Sequence, residues 1–231
     1  MIKRLDKVEI ALLAFLFFHF AIGVFTAVTN TEYFDTVFTV EDGVIEWYTV
    51  DALVMCAAVC GWRLFRLRKV RSPLFLGVLG FLTLLFLFGA LEEISWGQRI
   101  LGRESSEFFQ ENNAQGETNF HNLVVGETKL NRLIFSRLLG FCVISYILIF
   151  PILYTKVGWI RKLASTLAVP VPKVIYIVSY LIVGASYPLL DAFSTKKGEL
   201  LEFGGCFLFL LILAFPKNAE LYDPEQQAQK D

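Results

Sequence analysis

Two short stretches concentrate the side chains that could do chemistry. In EEISWGQRILG, residues 92–102, the adjacent carboxylates Glu92 and Glu93 end a long apolar run, and Trp96 and Arg99 follow. In FFQENNAQGETNFHNL, residues 108–123, Asn113, Glu117 and His121 recur every four positions, with Asn122 next. Carboxylates and an imidazole are the groups that take up and return protons near neutrality or ligate a divalent metal. A guanidinium grips anionic head groups through paired N–H bonds. Glu92, Glu93, Glu117 and His121 are therefore candidate catalytic residues, and Trp96, Arg99, Asn122 and Asp51 candidate substrate-binding residues. A divalent metal, if one is held, would draw on Glu93, Glu117, His121, Asp191 and Glu202.

Spacing adds a condition to each stretch. A helix continuing beyond Glu93 would set Glu92, Trp96 and Arg99 on one stripe at i, i+4 and i+7. A helical second stretch would aim Glu117 and His121 the same way, although Gly116 weakens such a helix.

These side chains must be positioned by unusually apolar elements. Hydrophobic residues make up 55% of the 231, with 23 Phe, and the mean hydropathy is +0.57. The 19% of charged residues could not cover that much apolar surface in water. Long apolar segments lie at 8–29, 47–65, 73–92, 132–155, 173–193 and 199–216. At about 1.5 Å rise per residue, each can cross a hydrocarbon core about 30 Å thick. Backbone groups in lipid must be satisfied within the segment, so the spans are helices.

The expected fold is an all-α integral membrane bundle of six transmembrane helices. Residues 1–216 form the membrane domain, including an extracytoplasmic loop 93–131, and 217–231 a polar cytoplasmic tail that frays. The run after MIKR is read as a retained first helix rather than a signal peptide, since it is too long for one and lacks a cleavage site. Lys3, Arg4 and Lys7, the five cations of RLFRLRKVRS and the four of TKVGWIRKLASTLAVPVPK belong in the cytoplasm by the positive-inside rule. The first loop, with five acids and no cation, belongs outside. Both termini are then cytoplasmic, and only the short STKK turn near 194 runs against this.

The outer face gathers acids from four helices: Glu46 and Asp51, Glu92 and Glu93, Asp191, and Glu199 and Glu202. Ionisable groups at membrane depth are costly and mark functional sites by default, although Glu46 and Glu199 also stand at helix N-termini, where the dipole favours them. His19 in the first span needs a hydrogen-bond partner, expected from a Ser or Thr. Cys56, Cys60, Cys142 and Cys206 all fall in spans and read as packing residues. Gly77, Gly80, Gly140, Gly184, Gly204 and Gly205 would let helices approach. A net charge of -1 gives no support for nucleic-acid binding.

Together the two stretches resemble the signature EExSWGQR…GExNxHN of an uncharacterised family of bacterial polytopic inner-membrane proteins. The resemblance covers about 40 residues and implies a bacterial cytoplasmic-membrane location but no activity. A weaker similarity is to the intramembrane glutamate proteases that include the CAAX endopeptidases. Here Arg99 falls two positions late for their Glu-Glu-x-x-x-Arg, and a second histidine is missing.

Two functional classes follow. In the first, the protein is an enzyme on a lipid or lipid-linked substrate, with Glu92 or Glu93 as base, His121 as acid or ligand, and Arg99 on the head group. In the second it is a non-enzymatic subunit that docks a membrane-protein partner through loop 93–131. A cation transporter ranks below both, because the inner halves of the spans carry few polar residues.

Overall fold

The computed structural model describes residues 5–120, 122–125, 128–129 and 138–228. The long helices are α1 (Lys7–Thr29), α2 (Val44–Leu67) and α3 (Pro73–Glu93). A short α4 (Glu107–Asn112) follows in the third loop. Then come α5 (Leu139–Lys156), α6 (Gly158–Thr166), α7 (Val174–Asp191) and α8 (Lys197–Ala214). Strand pairing among the described residues is a two-residue antiparallel ladder, Val124–Val125 with Thr128–Lys129, and an isolated bridge between Asn113 and Leu123.

The helix starts follow local chemistry. Asp6 caps α1 by accepting the amide of Val8 at 2.8 Å, while Glu9 reaches back to the amide of Asp6, a capping box. Ser72 caps α3, and Pro73 occupies a first-turn position where a missing N–H costs nothing. Pro151 and Pro188 remove donors inside apolar runs. A π-turn at Ser145–Ile149 precedes the first, and α7 breaks between Ala185 and Tyr187 before the second.

Five helices, α1, α2, α3, α5 and α7, are long and apolar enough to cross a membrane. Their exposed surfaces carry residues such as Phe18, Phe25, Phe81, Leu84, Phe141 and Leu181, which suits lipid contact. The sixth expected span, α8, begins with Lys197, Glu199 and Glu202 and is the hub of the bundle. It packs against α1, α2 and α7 and buries Leu200, Phe203, Phe207, Leu208 and Leu211 completely or nearly so.

Among the described residues, glycine lets helices approach closely at two points. A Cβ on Gly23 of α1 would lie 2.7 Å from the methyls of Leu200, and one on Gly204 of α8 would lie 3.0 Å from Val183 and 3.3 Å from Phe20. The expected packing role does not extend to Gly77, Gly140, Gly184 or Gly205, where no neighbouring atom lies within 4 Å of such a Cβ.

Through residue 228 the tail is anchored rather than frayed. Asn218 accepts the amide of Val171 at 2.8 Å and donates to the carbonyl of Val169 at 3.0 Å, and the hydroxyl of Tyr222 donates to the carbonyl of Ala168 at 2.8 Å. Arg63 lies 3.9 Å over the Tyr222 ring. Leu221 and Tyr222 close a small core with Leu67, Phe75 and Leu79. The polar composition of this segment hid a few apolar and amide anchors that join it to the basic end of the bundle.

Candidate functional site

The two stretches singled out in the sequence are halves of one hydrogen-bonded clasp. α3 ends at Glu93, and Ser95, Trp96 and Gly97 all take left-handed backbone conformations, with φ of 47°, 56° and 73°. The turn reverses the chain, so the expected stripe of Glu92, Trp96 and Arg99 does not form. The Trp96 indole instead donates back to Glu92 Oε1 at 2.7 Å, and the other oxygen of Glu92 accepts the backbone amide of Phe120 at 2.6 Å. Two left-handed non-glycine residues in a row cost roughly 1–2 kcal/mol each, so surrounding bonds must hold them.

Those bonds come from the second stretch. Residues 113–120 are turns rather than helix, with Gly116 at φ 70°, so the expected helix does not form there, and His121 lies outside the described residues. Asn113 organises the turn through its side chain: its oxygen accepts the amides of Gln115 and Glu117, and its nitrogen donates to Asn119. Glu117 is thereby buried against Ser95, whose hydroxyl donates to it and accepts from Asn119. Gln98 accepts the amide of Thr118 at 2.8 Å and the hydroxyl of Ser105 at 2.9 Å. The amide of Asn122 donates to Asn119 and its side chain to Gln115.

Arg99 closes the clasp onto the bundle. Its Nη1 donates to Glu117, its Nη2 to Glu46 of α2 at 2.8 Å, and its Nε lies 2.8 Å from Asp42. Glu46 also accepts the amide of Asp42 at 2.6 Å. Each guanidinium nitrogen lies against a carboxylate, so Arg99 fastens the loop to the bundle. Burial works against its charge, but the hydrogen bonds and charges of Glu117, Asp42 and Glu46 outweigh it and hold its pKa above the usual arginine value. Stability from a cation with a raised pKa is complete below the unfolded value and lost only as pH rises through the folded one. The arginine therefore contributes throughout the neutral range.

Beneath the clasp lies a different group. Glu202 stands one turn into α8, and the charges of Glu93, Glu199 and Glu46 all act on it. Its side chain is exposed. It has no hydrogen-bond or ion-pair partner among the described residues. One turn deeper, Cys206 lies within reach of the charges of Glu93 and Glu202, and Tyr180 of α7 donates to the carbonyl of Gly205 at 2.7 Å. A helix that buries Leu200, Phe203, Phe207, Leu208 and Leu211 thus leaves Glu202 exposed.

The remaining sequence candidates are dispersed. Asp51 is on the exposed stripe of α2 with Trp47, Val54 and Met55. Asp191 is half exposed and pairs with Lys197 at 2.7 Å, away from the Glu202 group. His121 lies outside the described residues. No group of three His, Cys, Asp or Glu among the described residues is arranged to hold a metal ion, so Glu93, Glu117, Asp191 and Glu202 do not converge on one.

His19 is hydrogen-bonded, as expected, but to the Phe15 carbonyl at 2.9 Å and the Tyr48 hydroxyl at 3.4 Å and not to a Ser or Thr. One ion pair escaped the sequence reading. Glu9, 1% exposed, takes Lys173 at 2.8 Å and the hydroxyl of Tyr176, tying α1 to α7. Its only sequence signal was an acid in the first turn, which the capping box already explained.

Comparison with protein-family models, with curated proteins and with solved structures finds no match. The fold and its exposed apolar helices define a multi-pass helical membrane protein. The family resemblances rest on their motif residues alone.

Proposed function

We propose that the protein is a membrane enzyme acting on a lipid or lipid-linked substrate at the acidic face of the bundle. The observation that carries this reading is Glu202, an exposed carboxylate on α8 that has no hydrogen-bond or ion-pair partner among the described residues and lies within reach of the charge of Glu93. Unpaired acids in a largely apolar bundle are expensive and are kept for use. Glu202 and Glu93 would divide the base and acid roles, one taking the proton of an attacking water or hydroxyl and the other supplying one to the leaving oxygen. Arg99, Glu92 and Glu117 then act as positioning residues that hold the loop beside these acids. His121 remains a candidate acid or ligand on its sequence position alone.

The basic connections place their end of the bundle in the cytoplasm by the positive-inside rule. The clasp is then extracytoplasmic, with α8 as a sixth span in a bacterial inner membrane. Purified protein incubated with a bacterial lipid extract should convert a lipid species detectable by mass spectrometry. Glu202→Gln and Glu93→Gln should abolish conversion, and Glu202→Gln should leave the melting temperature close to wild type. Equal turnover by both folded variants would sink the assignment.

A second reading has its own observation. Trp96, Ile100, Leu101, Phe108 and Phe120 form an exposed apolar rim on the clasp, suited to docking a membrane-protein partner. A stoichiometric partner that co-purifies from native membranes and is lost in an Ile100→Glu/Leu101→Glu variant would favour docking over catalysis.

A further inference from the structure

At the end opposite the clasp, two basic connections meet. Lys69, Arg71 and Ser72 of the α2–α3 turn face Lys162, Ser165 and Thr166 of α6 across a pocket of about 470 Å³, and no acid lines it. Arg71 is fixed in place, donating through Nε and Nη2 to the carbonyl of Leu221 at 3.2 and 2.7 Å and lying 4.4 Å from the centre of the Phe75 ring. Lys69 and Lys162 have no carboxylate partner among the described residues. Ser72 marks the N-terminus of α3, whose dipole adds positive potential at the same wall. The hydroxyls of Ser165 and Thr166 donate to carbonyls of their own helix, so ammonium groups are what the pocket offers.

The geometry points to a binding site for the phosphate of an anionic phospholipid. Topology explains why cations lie at this end. It does not explain why two separate connections converge on one acid-free concavity. The flanks match the rest of such a ligand: Leu74 at the start of α3 and Trp159 and Leu163 of the amphipathic α6 are exposed beside the pocket, giving acyl chains an apolar track below a cationic head-group seat.

Native mass spectrometry of protein reconstituted in phosphatidylcholine nanodiscs, with and without phosphatidylglycerol, tests this. Wild type should retain phosphatidylglycerol and not phosphatidylcholine. Lys69→Gln/Lys162→Gln should retain about tenfold less or lower still, since each cation near the surface contributes on the order of 1 kcal/mol. Lys156→Gln, which removes a cation outside the pocket, should change little. Equal retention by the double variant, or an equal loss in Lys156→Gln, would overturn the site. Inorganic phosphate raising the melting temperature as much as the lipid does would overturn the lipid as its source.

Discussion

Replacing Arg99 by alanine would leave Asp42, Glu46 and Glu117 facing one another with no cation between them. Breaking a fully buried pair costs about 3–5 kcal/mol, and the partial exposure of Arg99 lowers the expected loss to about 2 kcal/mol. Arg99→Lys should recover little, because one ammonium cannot meet three carboxylates in the directions a guanidinium fork reaches. Denaturant unfolding and limited proteolysis of the loop would both report the change. Glu92→Gln tests the other half of the clasp. An amide can accept from the Trp96 indole or the Phe120 amide but presents a donor to the second, so the loss should be about 1–3 kcal/mol. The proposed enzyme makes a contrasting demand on Glu202: its substitution by glutamine should leave stability nearly unchanged, since no partner is lost.

At the scale of elements, the left-handed turn Ser95–Gly97 sets where the loop goes. Gly97 has no atom within 4 Å of a would-be Cβ but a φ of 73°, so Gly97→Ala should cost about 1–2 kcal/mol from backbone strain alone. Equal stability of the variant in a denaturant titration would mean the turn relaxes. This turn also shows what the sequence could and could not tell. The long helices were legible because runs of Leu, Phe and Val around 73–92 leave the backbone no other way to satisfy itself in lipid. The importance of Glu92, Arg99 and Glu117 was legible from charge placed against apolar context. Their partners were not, since a helical template carried past Glu93 gives Arg99 the wrong direction, and no local pattern announces consecutive left-handed residues at Ser95 and Trp96. Glu9 and Lys173 lie 164 positions apart, so only the folded bundle could pair them.

For the whole molecule, the tail is a fastening at the end of the bundle opposite the clasp. Tyr222→Phe removes one hydrogen bond to Ala168 and should cost about 1 kcal/mol, read as a lower melting temperature without loss of the clasp's protease resistance. Between the two ends runs α8, which packs against helices from both halves of the chain. Because it follows all of them in sequence, the helices that surround it leave the ribosome before their shared core exists. Until residues 197–214 arrive, Gly23 of α1 lacks Leu200 and Val183 of α7 lacks Gly204, and the early spans can rest in the bilayer only as a loose set. Nascent chains arrested before residue 197 should therefore stay sensitive to protease within their outer loop, and resistance should appear in one step once α8 is released.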